Sequence, residues 1–173
     1  MNKIIGITLF LFFIFSSYIS AVPNPMIKRQ GDGSDPLSGF KPCNGTTYPI
    51  TFTKFSFDPN PIVIGQTLTT TVAGTSNEEI KEGAIQTTSA FSNGQLVFNQ
   101  QTDYCKVSVE PTGAKCPLPP GDFDASITSV PAASSNDPSG TTLSFDVVFK
   151  IINPDNTELT CMEGPFSITF PPK

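Results

Sequence analysis

Apolar and polar residues alternate along most of the chain. The pattern is cleanest at Leu143, Phe145, Val147, Phe149 and Ile151, each separated by one residue. A period of two places such residues on one face of an extended strand. Thr46 to Phe57 reads the same way, with Thr51, Thr53, Phe55 and Phe57 on one face and Ile50 and Phe52 on the other. Within Gln66 to Ala73, Leu68, Thr70 and Val72 alternate with threonines, and Phe123, Ala125 and Ile127 alternate further on. Ala84 to Phe91 and Gln95 to Gln101 flank Ser92-Asn93-Gly94. An Asn-Gly pair between two apolar runs predicts a tight hairpin, because both residues tolerate positive φ. Glu158 to Met162 and Phe166 to Phe170 read as the last two strands. Pro59-Asn60-Pro61, Pro119-Pro120-Gly121, the polar stretch 132–140 and Asn153-Pro154-Asp155-Asn156 punctuate the chain. No stretch sustains a helical period. Seven or eight short strands with frequent turns predict an all-β fold, an antiparallel sandwich or barrel.

The N-terminus departs from this pattern. Ile4 to Ile19 is almost uniformly apolar, preceded by Lys3 and followed by Ser20 and Ala21. That order predicts a secretory signal peptide over residues 1–21, cut near Ala21. The competing membrane anchor would need ~20 apolar residues, and this run is shorter. Residues 22–39, with Pro23, Pro25, Gly31, Gly33, Pro36 and Gly39, read as a flexible linker or pro-segment. Its Lys28-Arg29 pair is either a processing site or two solvated charges. The domain proper is expected over residues 40–173.

Composition narrows the chemistry. The 173 residues carry 10 basic and 15 acidic side chains, a formal charge of −5. This balance argues against nucleic acid as a partner, since phosphate neutralisation needs a basic face. Histidine is absent, which removes imidazole as a base or metal ligand. The cysteine spacing is not that of a metal site, and no cofactor is expected. The run Glu78, Glu79, Lys81, Glu82 reads as a solvated turn. Asp122 and Asp124 share a strand face without a further catalytic partner, so no enzyme is expected. Asn44-Gly45-Thr46 is an N-glycosylation sequon.

Four cysteines behind a signal peptide imply two disulfides, for which three pairings exist. Cys105–Cys116 would close a short loop containing Pro111 and Gly113. Cys43–Cys161 would then tie the start of the domain to its last strands, where domain termini often meet. Cys43–Cys105 would suit an immunoglobulin domain, but that pattern wants a Trp between the cysteines and a Tyr two before the second. There is no Trp, and Asp103 holds the Tyr position. The expected pairs are Cys105–Cys116 and Cys43–Cys161.

An ordered set of segments resembles a known family. Asp58-Pro59-Asn60-Pro61, Gly65, Leu68 and Gly74 come first. Ile80-Lys81-Glu82-Gly83-Ala84, Asp103-Tyr104-Cys105, Cys116-Pro117-Leu118, Pro120-Gly121 and Leu159-Thr160-Cys161 follow. Together they resemble the ML domain, the lipid-recognition sandwich, over about residues 40 to 171. The likeness is greatest to fungal and plant phosphatidylglycerol/phosphatidylinositol transfer proteins. It extends to the Niemann–Pick type C sterol carrier and to mite allergens. A third disulfide of some relatives is missing, and Cys105 and Cys116 stand further apart than in the sterol carrier. Both departures bear on sterol specificity more than on the fold.

The resemblance implies an immunoglobulin-like sandwich whose sheets part at one end around a phospholipid or sterol. It implies a secreted, vacuolar or lysosomal carrier, a monomer in transient contact with membranes. The candidate lining residues are Phe55, Phe57, Leu68, Val72, Phe91, Leu96, Phe98, Tyr104, Phe123, Ile127, Phe145, Val147, Phe149, Ile151, Phe166 and Ile168. By periodicity alone, an alternating Phe or Val is more often ordinary core packing than cavity lining. The other open reading is a fully packed extracellular module that binds a protein through its loops.

Overall fold

The computed structural model describes residues 35–173. The expected signal peptide, Lys28-Arg29 and most of the expected linker lie outside the described residues. Nine strands run in chain order: β1 (Lys41–Pro42), β2 (Ile50–Asp58), β3 (Ile62–Val63), β4 (Leu68–Ser76), β5 (Ile85–Ser92), β6 (Gln95–Asp103), β7 (Gly121–Ser129), β8 (Thr141–Ile152) and β9 (Glu158–Phe170). One sheet has the order β1-β9-β8-β5-β6, with β3 beside β9; the other has the order β2-β4-β7. All pairings are antiparallel except the short β3–β9 contact. The result is the expected all-β sandwich, with the core between the two sheets.

Of three register shifts among the described strands, one leaves Leu159 extra in β9, and two bear on the candidate residues. In β2, Phe52 pairs with Gly74 and Lys54 with Ala73, so Thr53 is an extra residue. One extra residue inverts the alternation beyond it. Ile50, Phe52 and Phe55 therefore share the buried face, and Thr51 joins Thr53 and Lys54 outside. The expectation that Ile50 and Phe52 oppose Phe55 and Phe57 is thus corrected. Gly74 is required opposite this bulge. A β-carbon there would lie 2.2 Å from the Thr51 carbonyl oxygen and 2.9 Å from Phe123 Cζ. The rings of Phe52 and Phe123 meet edge to face, 5.7 Å apart.

The second bulge lies in the predicted hairpin. Asn93 and Gly94 both have positive φ, 50° and 73°, as a tight turn requires. Ala90 then pairs with Phe98 but Phe91 with Leu96, leaving Val97 extra. Leu96 and Phe98, two residues apart, consequently point to opposite faces.

Three further features differ from expectation. The last two strands are one, β9, continuous through Pro165. Pro165 falls between Glu163, which pairs with β1, and Ile168, which pairs with β3, so its missing N–H interrupts neither contact. The loop between Cys105 and Cys116 contains a π-helical turn, Cys105–Val109, and a 3-10 turn, Glu110–Thr112, ended by Gly113 at φ 85°. The end of the expected linker is ordered. The Asp35 carboxylate accepts from the amides of Leu37 and Gly39, and the Phe55 amide donates to the Pro36 carbonyl. Phe40 follows, buried at 4% exposure.

The disulfides are Cys43–Cys161 and Cys105–Cys116. The first fixes the start of the domain to β9 and the second closes the helical loop. In the chain-entropy view each contributes on the order of 3–5 kcal/mol, the longer loop more. A buried Asn153 links distant turns: its amide donates to the Glu79 carbonyl and its Oδ1 accepts from the Lys81 amide. Lys81 also pairs with the carboxylate of Asp155.

Candidate functional site

The sandwich interior is built from cross-strand rows. In the three-stranded sheet the rows are Phe57–Thr70–Ile127, Phe55–Val72–Ala125 and Phe52–Gly74–Phe123, with Leu68 opposite Ser129 at the end. In the larger sheet, Phe145 lies opposite Phe166, Phe149 opposite Met162, Val147 opposite Gly164 and Leu143 opposite Ile168. Ala90 continues the Val147 row and leads to Phe98. Of the candidate lining residues, this brings together Phe55, Phe57, Leu68, Val72, Phe98, Phe123, Ile127, Phe145, Val147, Phe149, Ile151, Phe166 and Ile168. Tyr104, just past β6, packs against the same cluster.

Phe91 and Leu96 do not belong there. Phe91 pairs with Asp146 on one side and with Leu96 on the other. Asp146 is exposed and Leu96 is 56% exposed, so this row lies on the outer face. Both were candidates because they are apolar; Phe91 faces out by plain alternation from Ala90, opposite Asp146, and the bulge at Val97 turns Leu96 out beside it.

The two long sides of the sandwich differ. On the β2–β9 side the sheets are closed by aromatic packing. Phe40 enters from the N-terminal arm and meets Phe55 edge to face at 4.8 Å. Phe57 and Phe166 meet across the sheets at 5.5 Å, and Phe55 and Phe149 at 6.0 Å. On the other side β6 and β7 are both terminal strands, with no partner strand beyond them among the described residues. The short helical segment Glu110–Thr112 approaches β7.

Burial is uneven on both sides. Ile151 and Ile168 are essentially inaccessible. Phe57, Val72, Phe123, Ile127, Phe149 and Phe166, although turned toward the opposite sheet, keep partial solvent access. Along β7 the inward positions Phe123, Ala125 and Ile127 are half-buried and none is fully buried. A sandwich packed to native density would bury such side chains on its inner face.

The inner face of β5 and β6 also carries a polar strip that sequence reading missed. Gln86 lies opposite Thr102, and Thr88 opposite Gln100. Gln86 is 5% exposed. It donates to Thr88 Oγ1 at 3.4 Å, and its Oε1 accepts from Ser108 Oγ, on the helical turn, at 2.9 Å. Gln100 Oε1 is buried without a partner. The signal was present as Gln86-x-Thr88-x-Ala90, a period-two row. It could be read as inward only once Phe91 was known to point out.

The inner rows named here contain no ionisable side chain. Burial pushes the Tyr104 hydroxyl up to about 12, so it stays neutral through the physiological range. Among the described residues no group of three or more His, Cys, Asp or Glu could hold a metal ion. None of their helices is long and apolar enough to cross a membrane. The site therefore offers apolar surface with amide and hydroxyl groups along one margin. Such an arrangement favours a hydrocarbon guest with a small polar group. Outside this site, Asn44 of the sequon is exposed beside Cys43, at φ 53°.

Comparison with known proteins gives the same picture. The ML domain family model matches residues 38–168. A phosphatidylglycerol/phosphatidylinositol transfer protein of Aspergillus oryzae is 31% identical over 144 residues, covering 78% of this chain and 76% of that protein. Among solved structures, a Niemann-Pick type C2 protein from Japanese carpenter ant superposes with a TM-score of 0.55 at 17% identity, covering 75% of this chain and 98% of the other. Chicken MD-1, solved with lipid IVa, superposes with a TM-score of 0.50 at 16% identity, covering 75% and 87%. These two share the fold. By the match over residues 38–168 and the identity to the fungal transfer protein, the chain belongs to the ML domain family.

Proposed function

We propose that this protein holds one lipid, a phospholipid or a sterol, between its two sheets and carries it reversibly between membranes. The observation that supports this most directly is the partial solvent access of Phe57, Val72, Phe123, Ile127, Phe149 and Phe166 on inward faces free of charge. An acyl chain laid against them leaves water with a gain of roughly 0.8 kcal/mol per methylene. A long chain thus gains on the order of 10 kcal/mol before the costs of ordering and opening. The more deeply buried Phe55, Leu68, Phe98, Phe145, Val147, Ile151 and Ile168 form the wall behind. The step is non-covalent and needs no cofactor. The family supports the same reading: the fungal relative is named for transfer of phosphatidylglycerol and phosphatidylinositol, and the MD-1 structure contains lipid IVa.

Two disulfides and the apolar N-terminal run favour a secreted, vacuolar or lysosomal protein. In this reading residues 1–21 are removed as a signal peptide and Asn44 carries a glycan.

The test is extraction of lipid from the secreted, purified protein, followed by mass spectrometry and by transfer of a fluorescent phospholipid between vesicles. A bound phospholipid or sterol, with transfer rising with protein concentration, is expected. A clean apo mass together with no lipid uptake would reject the proposal and favour a packed module that binds a protein through its loops.

A further inference from the structure

We propose that the guest's polar group is an uncharged hydroxyl, held inside the open margin by Gln100 and the strip it belongs to. This inference rests on the lipid-binding reading above and narrows the class of lipid.

Gln100 sits on β6, the terminal strand of its sheet, with its side chain on the inner face beside Thr88. Its Oε1 is buried and unpartnered. A buried amide oxygen without a donor is costly, and native proteins rarely keep one without a use. A sandwich meant to be sealed would carry Val or Leu here, as β8 does at Val147. The next inner position along β5 is different: the Gln86 amide is fully engaged, bonding Thr88 and Ser108. The helical turn Cys105–Val109 thus braces one glutamine and leaves the other without a partner.

The chemistry of a matching group follows. It must donate a hydrogen bond to Gln100 Oε1. It must be uncharged, because no ionisable side chain stands on the inner rows to compensate a phosphate drawn inside. It must be attached to an apolar body that lies along the half-buried phenylalanines. A lipid hydroxyl meets all three conditions. Because it both donates and accepts, it serves the amide whichever way its oxygen and nitrogen are turned. Two sources share this chemistry, the ring hydroxyl of a sterol and the glycerol hydroxyl of an acylglycerol.

The experiment compares matched probes on the intact secreted protein: cholesterol against its methyl ether, and 1-monooleoylglycerol against its di-O-methyl ether. The free hydroxyl form of at least one pair should bind about tenfold more tightly than its ether. The pair that shows the preference identifies the source. Gln100→Leu should abolish that preference by weakening the hydroxyl form alone, while the unliganded protein melts no lower than wild type. Thr160→Val serves as the control. Thr160 Oγ1 is also buried and unpartnered, but lies on β9 toward the closed side, and its replacement should leave the preference intact. An unchanged preference in Gln100→Leu overturns the proposal. So does wild-type protein that binds phosphatidylcholine but neither hydroxyl form, an outcome that leaves lipid carriage standing. Binding of no lipid at all rejects both.

Discussion

The ring of Phe40 lies where a side chain on Gly164 would have to go. A β-carbon on Gly164 would come within 2.7 Å of Phe40 Cγ and 2.8 Å of Phe40 Cα. Gly164 is on the inner face of β9, opposite Val147, so Phe40 crosses from the N-terminal arm into the sandwich edge and onto Phe55. With the Phe57–Phe166 and Phe55–Phe149 contacts, it closes the side away from β6 and β7.

Gly164→Ala should therefore destabilise the fold by about 1–3 kcal/mol through overpacking, and Phe40→Ala by about 3–5 kcal/mol through the cavity left behind. The two effects should add only in part, because removing the ring relieves the contact with Phe40 Cγ but leaves the one with Phe40 Cα. Urea unfolding of both single variants and the double variant checks this; additive losses would contradict the contact.

Placement of the bulge at Val97 predicts opposite outcomes for neighbours two residues apart. Phe98→Ala should cost about 3–5 kcal/mol. Leu96→Ser, at a residue 56% exposed, should stay within about 0.5 kcal/mol. Thermal unfolding separates these outcomes, and a large loss from Leu96→Ser would move the bulge elsewhere.

Asn153 joins segments that are 72 and 74 residues away in sequence. Asn153→Ala leaves the Glu79 carbonyl and the Lys81 amide without their partner, at a cost of about 1–3 kcal/mol. Hydrogen exchange should report it locally, as faster exchange at the Lys81 amide with the β8–β9 amides still protected. Unchanged protection at Lys81 would show that the bond carries nothing.

The Asp155 carboxyl is held at about 2, below its ordinary 3.8, first by the hydrogen bond from Lys81 and then by Thr157. A lowered carboxyl stabilises the fold above the ordinary carboxylate range, and that contribution is lost as pH falls from about 4 toward 2. Lys81 is raised above 10.5 by the same partner, so its contribution is present below that value and lost as pH rises beyond the raised one. In Lys81→Ala, an NMR titration should find Asp155 raised from about 2 but still below the usual carboxylate value, because the Thr157 hydrogen bonds remain. A carboxyl still near 2 would assign the effect to Thr157.

The local code of this chain determined its strands, its Asn93-Gly94 hairpin, its two disulfide partners and, through the ordered segments from Asp58-Pro59 to Cys161, its family. Alternation, turn chemistry and cysteine spacing are properties of neighbours in sequence, and neighbours suffice to specify them. Which face of each strand turns inward was decided only by the tertiary structure. Thr53 and Val97 are each surplus relative to a partner strand, and a surplus residue inverts every side chain beyond it. The surplus at Thr53 gathers Ile50, Phe52 and Phe55 on one face, and that at Val97 turns Leu96 away from Phe98 and Gln100, while Phe91 and Gln86 take their faces from their β8 partners Asp146 and Ile151. Period two is read along one chain, but a bulge exists only between two. Register, and with it the character of the interior, therefore had to await strand pairing.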